Sequence, residues 1–397
     1  MKPIELKENI WWVGAIDWDL RCFHSYQIHH GATYNAYLII DEKVVLIDNV
    51  DDKHYDEMME RISRVIDPAK IDIIIQNHVE MDHSGSLIKL LDRYPDLVVY
   101  TNAMAVKGLK LQFKRDWNFH EVKTGDTVSI GKRSLTFVTT PMVHWPDNMV
   151  TYCPEEKILF SNDAFGQHVC ASERFDSDYP IDLALYEAKN YYANIVMPYG
   201  SQVQKALETV EKLDIEIIAP SHGVIWKDHI PEIISNYKMW ATNDTEPNKA
   251  VIIYDTMWKS TQKMAYAIAR AFENKGMQIR MFNLKNSLRS DIMTELLTAR
   301  YICIGSPTIN STILPDVAGF LYYMKGLAPK KRIGLAFGSY GWGGQSIDLV
   351  NKLMGDEKEC GFEMMEPVKA QYVPDEETLQ KITKQIEENL KKYMEEI

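Results

Sequence analysis

A chain of 397 residues, 46% hydrophobic and 25% charged, has the composition of a globular protein and exceeds the size at which one core stops growing, so two domains are expected. A formal charge of −12 argues against nucleic acid or an acidic membrane surface as partner, and no apolar run is long enough to span a bilayer. The five cysteines form no C-x-x-C pair, which excludes a rubredoxin, zinc-ribbon or ferredoxin module and suits a reducing cytoplasm. The first residues, "MKPIELKENIWW", lack the charged-then-apolar pattern of a signal peptide, so export is not expected.

In chain order, "NAYLIIDEKVVLIDN" predicts a hairpin turning at Asp41, Glu42 and Lys43, "YDEMMERISRVI" a helix, and "KIDIIIQNH" a buried strand. Short strands follow in "DLVVYT", "RSLTFVTTP", "NMVTYC", "KILFSND" and "EIIAPSHG". Strands and helices that repeatedly end in His or Asp point to a sandwich whose strand ends build one site. The polar run Thr242 to Ala250 marks the boundary, giving domains 1–247 and 248–397. Beyond it, "AVIIYD", "MQIRMFNL", "ARYICIGSPT" and "RIGLAFGSYGWGG" are near-continuous apolar strands alternating with helices, the pattern of a doubly wound parallel sheet. The tail carries Leu379, Ile382, Ile386, Leu390, Tyr393 and Ile397 at helical spacing and predicts a closing amphipathic helix.

Chemistry concentrates first in "NHVEMDHSG", where His78, Glu80, Asp82 and His83 follow a buried strand. Their spacing fits no single helix face, but a loop leaving the strand can turn all four inward. Buried carboxylates are costly unless a cation offsets them, which favours a metal over ordinary packing. His144 in "TTPMVHWPD", Asp163 in "ILFSNDAFG" and His222 in "IIAPSHGVIW" stand in the same position relative to later strands.

A second constellation opens the second half. Thr256, Met257, Trp258, Ser260 and Thr261 join the first strand to a helix, and such a hydroxyl-rich loop at a helix start cradles a phosphate monoester. No G-x-G-x-x-G or G-x-x-x-x-G-K-S/T occurs, which argues against a dinucleotide or a nucleoside triphosphate. Two further strand-end loops, Pro307, Thr308, Ile309 and Asn310, then Ser339, Tyr340, Gly341, Trp342 and Gly343, can flank a flat ring.

The series His-x-Glu-x-Asp-His, then His, Asp and His, resembles the metal-binding motifs of the metallo-β-lactamase fold, with Glu80 where hydrolases of that fold carry a second histidine. Followed by a flavodoxin-like half, and together with "ATYNAYL", "HWPD", "SNDAFGQH", "APSHG" and "YDTMW", the chain resembles the flavodiiron proteins. The resemblance implies an αββα sandwich followed by a flavodoxin-like sheet, two irons and FMN. It implies one iron on His78, Glu80 and His144, the other on Asp82, His83 and His222, and Asp163 bridging. It also implies reduction of dioxygen to water or nitric oxide to nitrous oxide, a separate donor that is a rubredoxin or a reduced deazaflavin, and a head-to-tail homodimer or dimer of dimers. His24 and the pair Tyr191 and Tyr192 are candidates to bond a diatomic or relay protons, Tyr192 and His24 being the catalytic choices, and His168 is a further candidate.

Glu80 has a chemical meaning of its own. A metal cycling between +2 and +3 gains from a hard anionic oxygen, whereas zinc is served well by imidazole. A metal-dependent hydrolase carrying a flavin domain is the competing reading, and an electron carrier with a merely structural metal is a third.

Overall fold

The computed structural model describes residues 2–394, which form two compact units, one of residues 2–191 and 199–241, the other of residues 192–198 and 242–394. In the first unit a seven-stranded mixed sheet and a five-stranded sheet lie face to face. The expected hairpin pairs Tyr37–Ile40 with Val44–Ile47 antiparallel, and Val44–Ile47 then runs parallel to Ile71–Ile75.

Strand alternation decides which layer each residue joins. Ile73 and Ile75 meet Leu135, Phe137, Met149 and Phe160 of the second sheet, while Ile74 points the other way. It joins a core with Met58 and Ile62 of the helix Tyr55–Ser63, Leu87 and Leu90 of Leu87–Arg93, and Leu109 of Ala103–Phe113. The outer face of the second sheet is covered by helices, Val203, Leu207 and Tyr237 facing Val150 and Leu159. The result is the expected αββα sandwich.

The second unit has an all-parallel sheet of Glu246–Tyr254, Gln278–Asn283, Ala299–Gly305, Ile333–Tyr340 and the short Glu363–Met364 and Val368–Gln371. Counted from its first strand the spatial order is 2-1-3-4-5, the flavodoxin-like doubly wound arrangement. Its central strands Ala299–Gly305 and Ile333–Tyr340 are buried on both faces, which explains their continuous apolar runs.

The first of these strands begins at Glu246, inside the polar run that marks the expected domain boundary. Pairing, not side-chain polarity, decides this: Glu246 N donates to Thr298 O at 2.7 Å, and a register shift follows before Ala250. Lys249 is buried there, its Nζ 2.8 Å from Glu295 Oε2 and 2.9 Å from Thr298 Oγ1. The closing helix Glu376–Met394 packs on Ser260–Asn274 through Ile382, Ile386, Leu390 and Tyr393, and Ile397 lies outside the described residues. No helix among the described residues is long and apolar enough to cross a membrane.

Candidate metal centre and flavin crevice

The strand Ile71–Ile75 ends at Gln76, whose side chain shapes the turn after it. Its Nε2 donates to His78 O at 2.6 Å and His83 O at 2.9 Å, curling the next residues back over the strand end. Instead of an open loop, the segment closes in one helical turn, Met81–Ser84, so Asp82 and His83 come from a helix and Glu80 from its N-cap position. Gly85 makes the close approach possible, since a Cβ there would lie 2.8 Å from Asp52 N. His144 follows the strand Ser134–Thr139, Asp163 follows Ile158–Asn162 and His222 follows Ile217–Pro220.

The seven side chains sort into two sets able to hold a cation, His78, Glu80, His144 and Asp163 in one, and Asp82, His83 and His222 in the other. Asp163 belongs to both by geometry. Its Oδ2 lies 3.6 Å from His78 Nε2 and 3.3 Å from His144 Nε2, while its Oδ1 lies 2.9 Å from His83 Nε2 and 3.4 Å from His222 Nε2. Glu80 Oε2 is 3.5 Å from both His78 Nε2 and His144 Nε2, and Asp82 Oδ2 is 3.4 Å from His83 Nε2 and 3.2 Å from His222 Nε2. Donors that each bond one metal at about 2.1 Å in tetrahedral or octahedral geometry stand about 3.0–3.4 Å apart, close to these separations.

Hydrogen bonding supports the same fit. Among the described residues, His78 Nε2, His83 Nε2 and both carboxylate oxygens of Asp82 and Asp163 are buried, meet only other donors of the cluster and make no well-directed hydrogen bond, a costly state for polar atoms unless a metal bonds them. The far ring nitrogens are engaged: His78 Nδ1 lies 2.8 Å from Asp147 Oδ2, and His222 Nδ1 2.7 Å from Thr33 O. A ring that donates from Nδ1 presents Nε2 as an acceptor, which is how outer residues orient a metal-binding histidine. His83 differs, since its Nδ1 also has no hydrogen-bond partner among the described residues, and none of them fixes its tautomer.

Charges in the cluster are tightly balanced. Burial pushes the Asp163 carboxyl up, but His83, His144 and His222 outweigh it and hold it well below the usual carboxylate range. Burial likewise opposes ionisation of Asp82, yet His83 and His222 lower it to about 2. Burial lowers the His222 imidazole while Asp163 and Asp82 raise it, for a net rise to about 10.

Around the cluster, His24 Nε2 lies 3.0 Å from Glu80 Oε1 on a side chain that is 73% exposed. Of the tyrosine pair, the ring against the cluster is Tyr191, its centroid 5.1 Å from that of His168 and 5.9 Å from that of His222. Burial raises the Tyr191 phenol and the charges of Asp163 and Asp82 add to it, whereas burial alone raises Tyr192, which opens the π-helical Tyr192–Val196. These contacts favour Tyr191 over Tyr192 for a role beside the metals. His168 is fully buried, its ring 4.8 Å from His222, and burial followed by the neighbouring His222 charge holds it well below the usual histidine range.

In the second unit a crevice of about 630 Å³ opens at the carboxyl ends of the strands. All three expected loops line it, with Met257, Trp258 and Ser260 from the first, Pro307, Thr308 and Asn310 from the second, and Ser339 to Gly343 from the third. Thr256, Thr261 and Ile309 do not line it. Thr261 is fully buried with its Oγ1 2.9 Å from Ser339 Oγ, Ile309 bridges Thr312, and Thr256 keeps a buried Oγ1 without a hydrogen-bond partner. Trp258 and Trp342 are 87% and 93% exposed, an unusual state for large aromatic rings that a planar ligand would relieve. The crevice volume suits a cofactor, and the adjoining helix Ser260–Asn274 starts with amide groups that have no intrahelical acceptor, as a phosphate requires.

Residues that no sequence motif marked also take part. Ser311, Gln345, Tyr372 and Val373 complete the crevice wall, and Lys285 steadies the first loop, its Nζ 3.0 Å from Thr256 O and 3.4 Å from Asp255 Oδ1. Asp147 was visible as the end of "HWPD", where a carboxylate follows a histidine by three residues, but its target His78 is remote in sequence.

A family model described as ODP family beta lactamase matches residues 32–223, and a flavodoxin model matches residues 252–385. The chain is similar to the nitric oxide reductase of Moorella thermoacetica, at 43% identity with 96% of each chain covered. It is similar also to the rubredoxin-oxygen oxidoreductase of Megalodesulfovibrio gigas, at 42% identity with 94% of each covered. The crystal structure of the flavodiiron protein from Giardia intestinalis matches with a TM-score of 0.95 at 30% identity, covering 100% of this chain and 97% of that one. Similar to these relatives over nearly their whole length, and carrying the same two kinds of domain, the chain belongs to the flavodiiron protein family.

Proposed function

We propose that this chain reduces dioxygen to water, nitric oxide to nitrous oxide, or both, with one iron held by His78, Glu80 and His144, a second by Asp82, His83 and His222, and Asp163 between them. The observation that carries this assignment is the division of the Asp163 carboxylate, one oxygen toward each set of donors. Three carboxylates against two divalent cations leave the site near neutral, which limits the cost of burying it. When bound, the iron pair supplies the site for the diatomic and FMN supplies electrons to it.

The protein groups hold and deliver. Asp147 and Thr33 orient His78 and His222, and Gln76 holds the turn that carries Asp82 and His83. Either reduction consumes protons, and His24, mostly exposed with Nε2 at Glu80, can carry them from solvent, with the Tyr191 phenol as the buried group beside His222. Glu80 weighs against the hydrolase reading, because it supplies the anionic oxygen that redox-active iron favours.

The electron donor in this reading is a rubredoxin or a reduced deazaflavin. The functional unit is a head-to-tail homodimer or dimer of dimers, and the compartment is a reducing cytoplasm, which five free cysteines suit. Purified protein should carry about two irons and one FMN per chain and consume oxygen or nitric oxide anaerobically supplied with reduced rubredoxin. A zinc-only preparation with full reductase activity overturns the reading, as does ester or thioester hydrolysis without flavin turnover.

A further inference from the structure

The residues that precede three of the proposed ligands converge beneath the metal centre. Asn77 precedes His78, Asn162 precedes Asp163, and Ser221 precedes His222. In extended chain, neighbouring side chains point to opposite sides, so a ligand turned toward the metal leaves the residue before it turned away. All three of these polar side chains are buried, and two of them meet one carboxylate, that of Asp48.

Asp48 stands just beyond the strand Val44–Ile47, 2% exposed and in the left-handed backbone region. Its Oδ1 accepts from Asn77 N at 2.7 Å, and its Oδ2 from Asn77 Nδ2 at 2.9 Å and Asn162 Nδ2 at 3.3 Å. Asn162 extends the chain of contacts, Nδ2 lying 2.9 Å from Ser221 Oγ while Ser221 N donates to Asn162 O at 2.8 Å. On the other side Asn77 Oδ1 accepts from Thr151 Oγ1 at 2.8 Å.

An acceptor-only group is what this junction needs. An amide at residue 48 would set its NH₂ either against the Asn77 backbone N–H or against the NH₂ groups of Asn77 and Asn162, whereas both carboxylate oxygens accept. Burying the charge is costly, so a purely structural tie could be made more cheaply by neutral groups. The carboxylate links strand ends from both sheets, and those ends carry the ligands.

We propose that Asp48 is a positioning residue of the metal centre, acting through Asn77, Asn162 and Ser221 to hold His78, Asp163 and His222 in mutual register. This rests on the ligand assignment proposed for the two irons. The test compares the iron- and FMN-loaded wild type with Asp48→Asn, which preserves shape, with Asn162→Gly, which cuts the link to Ser221 and tolerates the left-handed backbone of Asn162, and with the ligand variant Asp163→Asn.

Far-UV circular dichroism and FMN content report folding. The rate of iron loss to a ferrous chelator and the EPR g-values of the one-electron-reduced iron pair report the site. Asp48→Asn and Asn162→Gly should keep their fold and FMN, lose iron about 10–100-fold faster and shift the g-values. Wild-type iron loss and g-values in both, while Asp163→Asn loses iron, overturn the proposal, as does a lowered melting temperature with an unchanged iron signature. If Asp48→Asn fails to fold, Asn162→Gly decides by the same two readouts. Retention of iron by Asp163→Asn overturns instead the ligand assignment on which the proposal stands.

Discussion

Asp147 Oδ2 meets His78 Nδ1 at 2.8 Å and Val79 N at 2.9 Å, so one carboxylate fixes both the His78 ring and the backbone amide of the residue that follows it. Burial opposes the charge, but the His78 hydrogen bond and charge outweigh it and lower the Asp147 carboxyl. Asp147→Ala should leave the fold intact and weaken iron binding about 10–100-fold, measured by chelator competition. An unchanged affinity would mean that His78 is oriented by packing alone.

In the proposed reading Glu80 carries the choice of metal. Glu80→His removes one anionic oxygen from the set with His78 and His144 and the partner of His24 Nε2. The variant is expected to take up zinc in competition with iron and to lose at least about 10²-fold in reductase rate, the order expected when a group orienting a proton donor is lost. Metal analysis after growth with both metals, with oxygen and nitric oxide consumption, checks it.

The charge balance of the cluster sets a pH dependence. A metal-bound imidazole must be neutral at the bonding nitrogen, and His222, raised to about 10 by Asp163 and Asp82 against the effect of burial, holds its proton through neutral pH in metal-free protein. Iron uptake therefore displaces that proton, and affinity should rise by about tenfold per pH unit between roughly pH 6 and 9 for each proton released. Isothermal titration in buffers of different ionisation enthalpy counts the protons; none released would contradict the raised His222.

At the flavin crevice, Trp342 is 93% exposed and lines the wall together with Met257, Trp258 and Ser260. If the flavin ring covers it, Trp342→Ala should weaken FMN binding by about 1–2 kcal/mol, or about 5–30-fold, without lowering thermal stability of the FMN-free protein. Quenching of flavin fluorescence on titration reads the affinity directly.

The proposed head-to-tail pairing of two copies predicts complementation. A metal-site variant such as His144→Ala and a crevice variant such as Trp342→Ala with Ser260→Ala are each expected to be inactive or nearly so alone. Unfolded and refolded together, they should regain activity in mixed dimers that contain one intact route, up to about a quarter of the wild-type level, as random pairing in a symmetric dimer implies. Recovery no greater than the sum of the separate variants argues against electron transfer between copies.

Much of this molecule is legible in its letters because strand ends are local. Apolar runs such as "IDIII" must be buried, the residue that follows must leave the core, and a His or Asp there is committed to a site at the sheet edge. Domain order, the parallel sheet and all seven candidate ligands follow from that logic. So do the three crevice loops, because a doubly wound sheet binds at its strand carboxyl ends.

Other features depend on which distant residues meet. Nothing near Asp163 reveals that its two oxygens face different donor sets, that Asp147 holds a histidine 69 residues away, or that Asp48 reaches Asn162 across 114. That Tyr191 rather than its neighbour lies against His222 follows from helix phase, which turns adjacent side chains about 100° apart. Sequence determined which residue types stand at the strand ends. Tertiary structure decided their partners, because a hydrogen bond or a ligand set is a relation between side chains that only packing of the two sheets brings within 3 to 4 Å.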